Sequence, residues 1–220
     1  FRTRLADFST DTPVQPVSLD IFRDVTSADR YTGLVVSRLT LDCQPNQDLR
    51  LTASMIGKAT ATVANTAPSF PTSPLQPFAF DTASLALDGA GTARIETLTV
   101  AVESQLEGIP ALNATSQIAK IRARGSQQIG LSGTIDFADR TEYAKFVAQS
   151  EQALTLYLSR ASSFSLLMAV PRFLYRTFAP TMTGAERLTV PFDGMARYAV
   201  SGTYSGTAVQ FELTSVTSDF

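Results

Sequence analysis

Apolar and polar residues alternate along much of this chain, and the alternation lays out strands one after another. From Leu34 onward, Val35, Leu39, Leu41 and Cys43 fall on one face of an extended segment and Arg38, Thr40 and Asp42 on the other. The turn-forming run Gln44-Pro45-Asn46-Gln47-Asp48 follows. Leu49, Leu51, Ala53 and Met55 then alternate with Arg50, Thr52 and Ser54, which predicts a hairpin. A second hairpin is expected where residues 83–87 and 94–102 flank Asp88-Gly89-Ala90-Gly91, since glycine takes the positive φ of a tight turn without steric cost. Residues 128–137 give the clearest strand, with Ile129, Leu131, Ile135 and Phe137 opposed to Ser132, Thr134 and Asp136. Leu154, Leu156 and Leu158 predict a strand paired across residues 159–163 with one carrying Phe164, Leu166, Met168 and Val170. Leu188, Val190 and Phe192, then Val209, Phe211 and Leu213, predict the last strands.

Between these runs the pattern lapses. Residues 1–33 are polar with scattered apolar anchors such as Phe8, Val17, Ile21 and Phe22, and read as an N-terminal arm ahead of one domain at 34–220. Residues 59–80 are rich in Ala, Thr, Ser and Pro and read as an extended loop. Residues 103–125 hold no sustained period and read as a long loop, a class of segment that in compact domains is usually functional. Asp139-Arg140-Thr141-Glu142 has the spacing of a capping box, and Tyr143, Phe146 and Val147 form an apolar stripe behind it, so one short helix is expected there. Roughly eight to ten strands and one helix make an all-β sandwich or partly closed barrel with a flanking α-helix.

Composition narrows the chemistry. At 44% hydrophobic and 17% charged residues the chain has the balance of a folded protein, and 220 residues suffice for one sizeable core. A net charge of −2 lacks the basic excess of a protein that grips nucleic acid. The absence of histidine removes the commonest general base and the commonest metal ligand, and the single cysteine forbids an internal disulfide. Cys43 lies on an apolar strand face with no histidine to activate it, and reads as core. Gly89-Ala90-Gly91 lacks the third glycine and following helix of a phosphate loop. Glu96, Glu103 and Glu107 have no spacing that makes an acid/base pair. No catalytic residue, metal ligand or cofactor is expected. Lys120, Arg122 and Arg124 alternate and so project from one side of an extended segment, toward phosphate or the carboxylates of a neighbouring subunit.

Three stretches carry a family resemblance: LVVSRLTLDCQPNQDLRLTASMIG at 34–57, PFAFDTASLALDGAGTARIETLTVAVESQLEGIPALN at 77–113, and GLSGTIDFADRTEYAKFVAQSEQALTLYL at 130–158. In this order they resemble phage tail tube proteins. The first is similar to that family's hairpin ending on Ser54-Met55-Ile56-Gly57-Lys58, and the third to its strand, capped helix and strand. The resemblance implies a subunit that forms hexameric rings stacked into a tube in the virion tail, assembled in the host cytoplasm. It further implies a lumen that passes DNA without specific binding, tape-measure, tail-terminator and baseplate or tip proteins as partners, and no membrane insertion. Arg38, Thr40, Asp42, Arg50, Thr52 and Ser54 would then line the lumen. Phe8, Ile21, Leu106, Ile109, Leu112, Lys120, Arg122 and Arg124 are the candidates for contacts between subunits or rings. A gene transfer agent, a tailocin or another tail-ring component shares these features. A β-sandwich binding module of carbohydrate or adhesin type is the alternative, disfavoured by the lack of tryptophan. A one-residue slip of register would turn the opposite face to the lumen.

Overall fold

The computed structural model describes residues 16–22, 27–64, 77–92, 94–110, 112, 117–161, 164–178 and 188–214. Along the chain run β1 (Val17–Phe22), β2 (Ser27–Cys43), β3 (Arg50–Ile56), β4 (Ala59–Ala64), a 3-10 turn (Phe80–Thr82), β5 (Ala83–Leu87), β6 (Ala90–Gly91) and β7 (Ile95–Glu103). They continue with β8 (Leu106–Pro110), β9 (Ile118–Ala123), β10 (Gln128–Asp136), α1 (Thr141–Val147), β11 (Gln152–Ala161), β12 (Phe164–Phe178), β13 (Thr189–Ala196) and β14 (Gln210–Thr214).

Twelve strands form one antiparallel sheet, whose main path runs β1-β2-β7-β10-β13-β12-β11-β5-β6. Long β2 also carries β3 and β4, and β14 pairs with β12. The sheet does not close into a barrel. It curls so that the apolar faces of both halves meet in one core, which takes Leu41, Leu98, Val100, Leu131 and Val190 from one half and Leu154, Leu156, Leu158, Met168 and Phe173 from the other. Each such apolar side chain contributes about 1.5–3 kcal/mol by leaving water. Tyr175 stands edge-on to Phe173, Phe178 and Phe192, at ring-centroid distances of 5.3, 5.3 and 5.6 Å. Such geometry suits the ring quadrupoles.

The predicted pairing of 34–43 with 49–55 is present and sets Leu41 opposite Leu51. The predicted pairing of the 154 and 164 strands is present too, and sets Leu156 opposite Met168. Other expectations are corrected. The strand predicted from Leu34 begins at Ser27, so the break at residue 34 falls inside β2, and residues 17–22 of the expected arm are β1. Residues 83–87 and 95–102 do form strands, but β5 turns at Asp88-Gly89 only to the two-residue β6, while β7 pairs with β2 and β10. Alternation shows that a segment is a strand and not which strand it meets. The expected loop at 103–125 contains the β8–β9 hairpin, and 59–64 of the other expected loop is β4.

The capping box is also corrected. Asp139 Oδ1 accepts from the amide of Thr141 at 2.8 Å, while Asp139 Oδ2 accepts from Arg94 at 2.8 Å. Glu142 turns away from the helix start, accepting from Tyr175 at 3.0 Å and from Lys145 at 3.1 Å. A tertiary partner with a buried hydroxyl outcompetes the local amide.

Candidate assembly surfaces

Cross-strand partners share a face, so register decides what the polar side of the sheet carries. Asp42 lies opposite Arg50, Thr40 opposite Thr52, and Arg38 opposite Ser54. All six residues predicted for the lumen therefore stand on one face, opposite the core. On β7 the same rows continue through Thr99, Ala101 and Glu103, and on β10 through Ser132, Gly130 and Gln128. Asp193 and Met195 on β13 extend two of them. Reading the sequence strand by strand missed these β7, β10 and β13 positions. The signal was present in the alternate polar residues of 97–103 and 128–134, but only the pairing joins them to β2.

This face is polar, made mostly of small residues and mixed in charge. Arg38 Nε lies 3.4 Å from Glu103 Oε1, and Thr99 donates to Asp42 at 2.8 Å. A register shift between Val36 and Arg38 places Val36, rather than Val35 as the simple alternation expected, on the side of Met55, Ala53 and Leu51. Ser37, at that shift, donates through its hydroxyl to the Ser54 carbonyl at 3.1 Å.

The core side of β3 is unusual. Leu51 is 60% exposed and Met55 42%, although the row they share with β2 leads directly into the core through Leu41. Among the described residues β3 pairs with β2 alone, so it presents an open backbone edge beside an uncovered apolar row. The first part of β2 carries β1 and β4 on its two sides, and this three-stranded ribbon exposes Leu19 and Ile21. Phe8 lies outside the described residues.

The β8–β9 hairpin forms a separate two-stranded sheet. Lys120 pairs with Ile109 and Arg122 with Glu107, so the two basic residues project from one side of β9. Arg124 lies 3.9 Å from Glu107. The three leucine and isoleucine candidates are not gathered into one patch. Leu106 and Ile109 take opposite faces of β8, because three residues of separation is an odd step along a strand, and exposed Leu112 lies beyond β8.

On the flank of the molecule Lys145 joins α1 to the β5–β6 turn. Its ammonium donates to Asp88 at 3.0 Å, Glu142 at 3.1 Å and Gln152 at 3.0 Å. Burial opposes its charge, but the bonds to Asp88 and Glu142 outweigh that and raise its pKa. Burial, reinforced by the Glu142 carboxylate, pushes the Tyr175 hydroxyl well above its ordinary value, so it remains a donor. The hydrogen bond from Arg94, with that from the Thr141 amide, holds Asp139 well below the usual carboxylate range.

Cys43 is buried, and burial raises its pKa. A cleft of about 500 Å³ opens beside it between β5 and β7, lined by Phe80, Leu85, Ile95 and Glu96 among others. The chain has no histidine, the side chain that most often activates a thiol. Among the described residues no group of three or more acidic or cysteine side chains is placed to hold a metal, and no helix is long and apolar enough to cross a membrane.

Among the described residues the sheet thus leaves a polar face, an open edge and an apolar row uncovered. The family model for phage tail tube proteins matches residues 5–196. The chain belongs to the phage tail tube protein family. Its role is therefore structural, as a component of the virion tail that assembles with itself. Among curated proteins no significant match was found.

Proposed function

We propose that this member of the tail tube family forms hexameric rings that stack into a hollow tube, with the polar face of β3, β2, β7 and β10 turned to the lumen. The observation that carries the reading is β3, an edge strand whose apolar row of Leu51, Ala53 and Met55 continues the core face yet stands exposed. An open edge of this kind invites strand pairing, and a neighbouring copy would satisfy its backbone groups and cover the row. A contact that does not close on itself repeats, which generates rings or filaments.

The lumen would then carry Arg38, Thr40, Asp42, Arg50, Thr52 and Ser54, joined by Thr99, Ala101, Ser132 and Gly130. Cations and acids are interspersed there, so DNA meets no continuous basic track. Each phosphate neutralised strengthens binding, and a mixed surface suits passage rather than retention. The N-terminal arm at 1–33, which includes β1, and the β8–β9 hairpin would contact adjacent rings through Ile21, Ile109 and the basic row. Tape-measure, terminator and baseplate or tip proteins would bound the tube in length and at its ends, with assembly in the host cytoplasm. Negative-stain electron microscopy of the purified chain across concentration tests the reading. Tubes or stacked rings of uniform diameter are expected, and monomers persisting at every concentration would overturn it.

A further inference from the structure

The described charges are distributed unevenly between the two ends of the lumen-facing strands. From Gly33 to Cys43, β2 runs about 30 Å at the usual strand rise of roughly 3.3 Å per residue, so charges at its two ends are far beyond each other's reach within one copy. Toward the first end, Arg30 is paired with Asp20, Arg38 with Glu103 and Arg124 with Glu107. Lys58, Lys120 and Arg122 are left over: all three are exposed and make no ion pair with another described residue. They stand on joined segments: the Ile118 amide at the start of β9 donates to the Lys58 carbonyl at 3.2 Å, and Lys120 and Arg122 share one face of β9.

The other end of the sheet has the opposite character. The β2–β3 turn is bonded to the segment before β5, the Leu49 amide donating to the Phe78 carbonyl at 2.7 Å and the Phe80 amide to the Gln47 carbonyl at 3.1 Å. These bonds set Asp48 opposite Ala79, two residues before Asp81; both aspartates are exposed and neither has an ion pair among the described residues. Acids prevail there: Asp42, Asp48 and Asp81 stand against Arg50 and Arg140, with Arg94 occupied by Asp139.

Copies joined side by side through strand edges have the ends of those strands directed toward the copies above and below. We propose that Lys58, Lys120 and Arg122 of one copy dock against the Asp48 and Asp81 end of a second copy stacked on it, and that this contact fixes the polarity of stacking. The inference rests on the ring-and-tube reading above. Opposite unpaired charges attract, whereas a copy inverted in the stack would set like charges together, and like-charge contacts reject wrong arrangements.

The test is charge reversal in the full chain, read as the lowest concentration that yields tubes by sedimentation and electron microscopy. K120E/R122E and D48K/D81K are each expected to raise that concentration about tenfold or more in low salt, and the combined four-residue variant to recover it. Circular dichroism and thermal unfolding of each variant check that the monomer is folded. Tubes of the unchanged chain are expected to lose stability as added salt screens the contact. Unimpaired tubes from the reversed pairs, or no recovery in the combined variant, would overturn this docking while leaving the tube reading intact. Failure of the unchanged chain to form tubes would overturn both.

Discussion

Leu156 on β11 and Leu51 on β3 both alternate with polar neighbours and both point to the core side of their strand, yet Leu156 is 1% exposed and Leu51 60%. The difference is coverage. β11 has β12 on one side and β5 on the other, and the opposite half of the curled sheet lies over its apolar face. β3 has β2 on one side, and no described part of its own chain shields its apolar row. Alternation thus reports that a face is meant to be dry, without reporting whether the cover comes from the same chain. In the tube reading, β3 is a core strand whose core is completed by a neighbour.

Substitution separates the two regions. The largest effect is expected for Leu156→Ala, which should destabilise the monomer by about 3 kcal/mol in urea unfolding, because a cavity opens in a packed interior. Gly133→Ala comes next. Its methyl would collide with the Thr97 carbonyl across the β7–β10 pair, and a cost of about 2 kcal/mol is expected from the displaced backbone. Lys145→Met should cost about 1 kcal/mol by removing the donor shared by Asp88, Glu142 and Gln152, with melting of α1 seen first in amide exchange. Leu51→Ala should leave monomer stability within about 0.5 kcal/mol while raising the concentration needed for tube growth. A Leu51 variant as damaging to the monomer as the Leu156 one would erase the contrast.

Titration gives a further check on the covered region. Tyr175 has a raised pKa in the folded state, so its contribution is complete below the ordinary tyrosine value near 10 and falls as pH rises beyond it. Tyr175→Phe should therefore show a shallower loss of stability above about pH 10 than the unchanged chain, measured by thermal unfolding against pH. The smaller acid-side effect belongs to Asp139, whose lowered pKa stabilises the fold above the ordinary carboxylate value, a contribution lost progressively as pH falls from there toward the lowered folded value. Its exposure keeps that effect slight.

The strands themselves were legible because side chains along an extended backbone point alternately to two faces, so burial writes a period of two into the sequence. Hence the β2–β3 hairpin, β10 and the β11–β12 pair, all of local origin, could be read directly, and Arg38, Thr40, Asp42, Arg50, Thr52 and Ser54 could be assigned to one face. What followed from distant pairing could not. The extension of that face across Thr99, Ala101, Ser132 and Asp193 depends on β7, β10 and β13 meeting in register. The recruitment of Glu142 by Tyr175 in place of a helix cap depends on where β12 passes α1. The bridge of Asp48 to Ala79, and the bond of Lys58 to the start of β9, join residues that have no common period. Which segments are strands, and which side of each avoids water, was already written in the order of residues, because both follow from neighbours one and two positions away. Which strands meet, and which apolar rows stay uncovered, emerged with the folded chain alone, since those outcomes depend on contacts between residues far apart along it.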